Sequence, residues 1–153
     1  MPNHQSAAAE IINFHNATDP AFSPPGPGIC IDEGHKPESI AGLPKEAPKP
    51  DCVSPEGCLF CVKHRDIMSS EYCWKLASHS HIKCLETALY KPSSKQEIHP
   101  GYRVVDRITQ KLEAIASSSQ IRAMWVKEAK DSIRSGKYHP YWDGHIKLLE
   151  VIV

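Results

Sequence analysis

Three cysteines and one histidine, Cys52, Cys58, Cys61 and His64, fall within thirteen residues of the stretch DCVSPEGCLFCVKHRD, positions 51 to 66. No other feature restricts the fold of this chain as strongly. A structural zinc ion needs four soft or borderline donors at tetrahedral corners, and a short C-x2-C turn supplies two because its backbone folds both thiolates toward one point. CLFC is such a turn. Upstream, SPEG has proline second and glycine fourth, the pattern of a type I turn that brings Cys52 back toward Cys58 and Cys61. The fourth donor is open at this stage: His64 would complete C-x5-C-x2-C-x2-H, and Cys30 reaches the same point across IDEGHKPESIAGLPKEAPKP. The candidate ligands are therefore Cys30, Cys52, Cys58, Cys61 and His64, around a structural Zn2+. Four protein donors leave no position for water, so such an ion would serve folding and not catalysis.

Disulfides are the competing use of six cysteines. No run approaches the roughly 18 apolar residues needed to span a bilayer. The start, MPNHQSAAAEIINFHN, lacks the basic opening and long apolar stretch of a signal peptide. The expected location is the cytoplasm, without membrane association, where thiols stay reduced and serve as ligands or small buried hydrophobes.

Nine of the thirteen prolines lie in the first fifty residues, in strings such as SPPGPG and LPKEAPKP that remove backbone donors and bring few apolar side chains. Residues 1–50 therefore read as a disordered, proline-rich linker, 51–66 as a cysteine-rich zinc knuckle, and 67–153 as a helical domain.

In that last part the apolar residues repeat at helical spacing. Asp66, Ser69 or Ser70 offers an N-cap for EYCWKLASHSHIKCLETALY, and Pro92 ends that helix. His99-Pro100 and His139-Pro140 mark two further starts, since proline in the first turn of a helix forgoes no intrahelical bond. The second helix, about 100 to 116, carries Tyr102, Val105, Ile108, Leu112 and Ile115 on one stripe. SSS at 117 to 119 breaks it and can cap a third, about 120 to 135, with Ile121, Trp125, Ala129 and Ile133 facing inward, and Gly136 stops it. The fourth, from Pro140, has Trp142, Ile146 and Leu149 on one side. No strand pattern competes. The expected fold class is all-α, about four helices behind a zinc knuckle, with Trp74, Trp125 and Trp142 sharing one aromatic core. Cys73 and Cys84 are expected in the core and His79 and His81 at the surface.

Formal net charge is zero, with eighteen basic and eighteen acidic side chains, so no global field draws the chain to nucleic acid or membrane. Lys127, Lys130 and Arg134 nevertheless fall within roughly a 60° arc of the third helix and are the candidate nucleic-acid contacts. No GxSxG, phosphate-cradling glycine loop, H-E-x-x-H or carboxylate pair points to an enzyme or to a small-molecule substrate.

PEGCLFC followed by HRDI and a tryptophan-bearing helix, with YHPYWDGHIKLLEVIV at the end, resembles the C-terminal region of bacterial integrase-like proteins of mobile genetic elements, relatives of the tyrosine recombinases. The likeness runs from about Cys30 to Val153. It implies a zinc knuckle ahead of a short helical tail and favours Cys30 over His64 as fourth ligand. It further implies a role in DNA integration or recombination, through DNA binding or through docking on a recombinase or integrase subunit. The catalytic pattern of that family is not matched: none of the nine histidines is followed three positions later by arginine. The expectation is a non-catalytic accessory module, with a pure protein-interaction or structural module lacking DNA affinity as the alternative.

Overall fold

The computed structural model describes residues 11–34, 36–90 and 98–152. Among these, four α-helices follow a two-stranded sheet and a short 3-10 helix. The strands are β1 (Ile29–Cys30) and β2 (His64–Arg65), antiparallel, with Ile29 opposite Arg65 and Cys30 opposite His64. The 3-10 helix spans Pro55–Phe60. The helices are α1 (Ser70–Leu89), α2 (Gly101–Ser118), α3 (Gln120–Arg134) and α4 (Pro140–Ile152). The mostly helical character expected from the sequence is present.

Each helix starts where local chemistry provides an acceptor for its first amides. Ser69 Oγ accepts from Tyr72 N–H at 3.1 Å, and Ser119 Oγ accepts from Arg122 N–H at 3.2 Å. The two His-Pro starts share one device. His99 Nδ1 accepts from Gly101 N–H at 2.8 Å, and His139 Nδ1 accepts from Tyr141 N–H at 3.1 Å, so an imidazole does what serine does elsewhere. Gly136, at φ 75°, closes α3, and Lys137 N–H reaches back to the Ser132 carbonyl at 2.8 Å. The break predicted at Pro92 lies outside the described residues; α1 has already ended at Leu89.

Helices α1, α2 and α3 pack on one another, while α4 packs on α1. Their main core joins Leu76 and Ala77 of α1, Val104, Ile108, Leu112 and Ile115 of α2, and Val126 and Ala129 of α3 to Leu59 and Phe60 of the 3-10 helix. The predicted stripes hold at Ile108, Leu112 and Ile115 on α2 and at Ala129 on α3, and depart at the first turn of each helix. On α2 the buried line runs through Val104 and Ile108 while Tyr102 is exposed, and on α3 Val126 is buried while Ile121 is exposed. Period alone fixes the spacing of a stripe; the position of the neighbouring helices fixes its phase.

The three tryptophans do not share one core. Trp74 and Trp125 flank the main one, whereas Trp142 belongs to a second cluster with Ile82, Tyr138 and Ile146. The sequence assigned His79 to the surface, but it is buried there, its ring stacked on Trp142 at 4.7 Å. Burial, and behind it Lys83 and Lys75, holds the imidazole pKa down at about 3, which favours the neutral ring. Cys73 is buried as expected, but Cys84 is exposed.

The proline-rich part also departs from expectation: over the described residues 11–50 it is not a linker but packs on the helices. Ile12, Phe14, Ile40, Leu43 and Ala47 lie against the main core. Amides that proline has not removed pair with the knuckle: Ile31 N–H with the Lys63 carbonyl at 3.1 Å, Ile40 N–H with that of Phe60 at 2.9 Å, and Val62 N–H with that of Glu38 at 2.8 Å. The knuckle is likewise part of the domain and not a unit before it, since Leu59 and Phe60 are core residues.

Candidate metal centre

Five segments of chain converge on the cysteine cluster. Phe22 and Cys30 exchange backbone hydrogen bonds at 2.8 and 2.9 Å, and β1 then sets Cys30 directly across from His64. Asp51 Oδ1 accepts from the amides of Val53 and Ser54 at 2.9 and 2.8 Å, folding the backbone over Cys52, which sits at φ 60°. The SPEG turn is present, with Gly57 N–H bonded to the Ser54 carbonyl at 3.2 Å, and continues as the 3-10 helix that carries Cys58. Cys61 caps that helix, its N–H on the Cys58 carbonyl at 3.2 Å, and bridges to Ser39.

The outcome is one small cavity, about 20 Å³, lined by Cys30, Cys52, Cys58, Cys61 and His64 with Pro24, Pro25, Ile29 and Pro50. That volume is close to the roughly 10–15 Å³ that a single water-sized particle requires. Two amides point at the sulfurs. Asp32 N–H lies 3.4 Å from Cys30 Sγ, and Gly26 N–H donates to Cys58. Gly26 is needed there, since a Cβ on it would stand 2.3 Å from the Pro55 carbonyl oxygen.

The thiols share this space without standing at ligand distance: among the described residues, no group of three or more His, Cys, Asp or Glu side chains is set to hold an ion. No disulfide is formed among them either. Burial, with the neighbouring Cys52, Cys61 and Cys30 behind it, pushes the Cys58 thiol up to about 11, and burial followed by Cys61 and Cys30 raises Cys52. Protonated thiols of that kind have no mutual attraction. A divalent cation would bind their deprotonated forms in place of those protons.

His64 occupies a different role from the cysteines. Its Nε2 donates to the Pro27 carbonyl at 2.7 Å, leaving Nδ1 as the nitrogen available to an ion. Burial first, then the charge of Lys111, lowers its pKa to about 4. The contact demands Gly28, at φ 102°, because a Cβ there would lie 2.4 Å from Nε2.

Below the cluster lies a buried charge network that sequence reasoning missed. Asp66 was considered only as a cap for α1, yet its Oδ1 accepts from the Tyr72 hydroxyl, and its Oδ2 from Asn13 N–H at 3.0 Å and Lys111 Nζ at 3.1 Å. Lys111 Nζ also donates to the Ile11 carbonyl at 2.6 Å. Arg107 Nε donates to the Leu59 carbonyl at 3.0 Å. A signal was available: Arg107 and Lys111 interrupt the apolar stripe of α2, and a buried cation implies a buried partner.

Lys127, Lys130 and Arg134 are exposed on α3, as the candidate nucleic-acid contacts require. Arg134 pairs with Asp131 at 3.4 Å. No helix of the described residues is long and apolar enough to cross a membrane. Comparisons with protein-family models, with characterised proteins and with solved structures give no match to this chain.

Proposed function

We propose that the chain is a non-catalytic accessory module whose knuckle closes around a structural zinc ion held by Cys30, Cys52, Cys58 and Cys61. One observation carries the reading: Cys30 from β1, Cys52 from its loop, and Cys58 and Cys61 from the 3-10 helix and its cap line a single cavity the size of one particle. Their chemistry fits the ion, since thiolates are its preferred structural ligands and amide N–H groups directed at sulfur stabilise the thiolate form. Cys30 is favoured over His64 on the strength of the PEGCLFC resemblance; His64, whose Nε2–H is held by the Pro27 carbonyl, is the alternative fourth ligand. Bound there, zinc would cross-link β1, the 3-10 helix and the loop at Cys52, all of which lie against the helices.

Metal analysis of the purified protein tests this. The expected result is one zinc per chain, lost in Cys58→Ser and Cys30→Ser, with helicity falling on chelation. Cys30→Ser with full zinc would move the fourth position to His64, and a chain without bound metal would remove the reading.

The setting we propose is a site-specific integration or recombination complex, on the strength of the PEGCLFC and PYWDG resemblance, with Lys127, Lys130 and Arg134 meeting DNA phosphates. Mobility-shift binding at about 50 mM salt should weaken in Lys127→Glu plus Lys130→Glu, because each lost phosphate contact reduces affinity and its salt dependence. A second reading, a protein-interaction module without DNA affinity, is favoured by an acidic residue on the same helix, since Asp131 engages Arg134. Identical shifts in the double variant, or none with any duplex, select it.

A further inference from the structure

The side of α3 opposite the basic residues forms a second, chemically distinct surface. Where α3, α1 and the start of α4 meet there is an open groove of about 550 Å³, lined by Trp74, Trp125, Pro140, Glu71, Glu128 and His139, with Ser70, Ala129 and Ser132 between them. That volume falls within the roughly 300–1,000 Å³ of binding pockets. Two tryptophans from neighbouring helices reach it, and both are only partly buried although they pack against the core. Trp74 is held in place by its Nε1–H, which donates to the Lys137 carbonyl at 3.0 Å, and by an edge contact with His139 at 5.2 Å.

The charges at the rim have one sign. Glu71 and Glu128 are both exposed, and the lining contains no lysine or arginine. Glu71 Oε1 lies 3.0 Å from His139 Nε2, while Glu128 has no ion-pair partner among the described residues. At about 100° per residue, Lys127, Lys130 and Arg134 point roughly 140–180° away from Trp125, so they do not neutralise the groove. Half-exposed indoles beside carboxylates are the chemistry that holds an ammonium or guanidinium group, through the ring faces and through charge.

We propose that this groove docks a cationic, arginine- or lysine-bearing segment of a partner protein. The site uses none of the cysteines and none of the basic residues of α3, so it stands or falls apart from the metal and DNA readings.

A dye-labelled hexa-arginine peptide and a hexa-glutamate peptide, titrated into the full chain and followed by anisotropy at about 50 mM salt, provide the test. The arginine peptide is expected to bind and the glutamate peptide not to compete for the same site. Glu128→Lys and Trp125→Ala are each expected to weaken binding by about two- to fivefold, the size of one exposed charge or ring contact. Lys127→Glu, on the opposite face, should not weaken it. Circular dichroism establishes that each variant keeps its helices. Unchanged affinity in Glu128→Lys, or absence of arginine-peptide binding to the unaltered chain, overturns the proposal.

Discussion

Lys111 and Asp66, 45 residues apart in sequence, form an ion pair of 3.1 Å in which neither side chain is more than 3 % exposed. The pair joins α2 to the chain just after β2, and Lys111 simultaneously holds the Ile11 carbonyl of the N-terminal segment. Burial lowers the Lys111 pKa to about 8 despite the carboxylate. Asp66 is pushed up by burial, but Lys111, His64 and Tyr72 together hold it below the usual carboxylate range.

Removing one partner of such a pair leaves a charge buried alone, which costs about 3–5 kcal/mol. Lys111→Ala is therefore expected to destabilise by that amount, read as a lower urea midpoint. It should also expose the N-terminal segment to proteolysis, because the Ile11 anchor is lost with it. A midpoint within experimental scatter of the unaltered chain would contradict this.

Acid should unfold the protein earlier than its carboxylates alone would cause. His79 has a folded pKa of about 3, set by burial and then by Lys83 and Lys75, against an ordinary 6.5. The unfolded chain therefore takes up the proton first, and stability, complete above about pH 6.5, declines as pH falls toward 3. At roughly 1.4 kcal/mol per unit, the loss has an upper bound of about 5 kcal/mol. His79→Phe keeps the stacking on Trp142 and removes the titration, so its denaturant midpoint should vary less between pH 6.5 and 4. Equal slopes in both proteins would exclude His79 as the source.

Gly28 should tolerate no side chain. A Cβ would lie 2.4 Å from His64 Nε2 and 2.6 Å from the Arg65 carbonyl oxygen, at a φ of 102° that other residues rarely adopt. Gly28→Ala is expected to destabilise by about 1–3 kcal/mol. Gly144 is the control, with nothing within 4 Å of its missing Cβ on an exposed helical face. Gly144→Ala should stabilise by about 1 kcal/mol through helix propensity. Thermal midpoints moving in the same direction would refute the contrast.

Leu76, fully buried where α1 meets the main core, tests the packing. Leu76→Ala should cost about 2–5 kcal/mol, whereas Ile121→Ala, at 61 % exposure, should cost less than about 1 kcal/mol. Similar losses would mean that the register of α3 is misassigned.

Local chemistry was enough to determine the helices of this protein. Ser69, the two His-Pro pairs, Ser119 and Gly136 act on amides and carbonyls within a few residues, so their effect is written in the chain itself. The grouping of Cys52, Cys58 and Cys61 was legible for the same reason, as products of one turn and one short helix. Tertiary structure alone decided which first-turn residues of α2 and α3 are exposed, the burial of His79, and the separation of Trp142 from Trp74 and Trp125. It also decided that the described proline-rich residues pack on the helices, that Cys30 meets the other cysteines, and that Lys111 finds Asp66. Each of these depends on contacts between residues far apart in sequence, whose free energy comes from burial and desolvation once distant segments meet, and no local pattern encodes which segments those are.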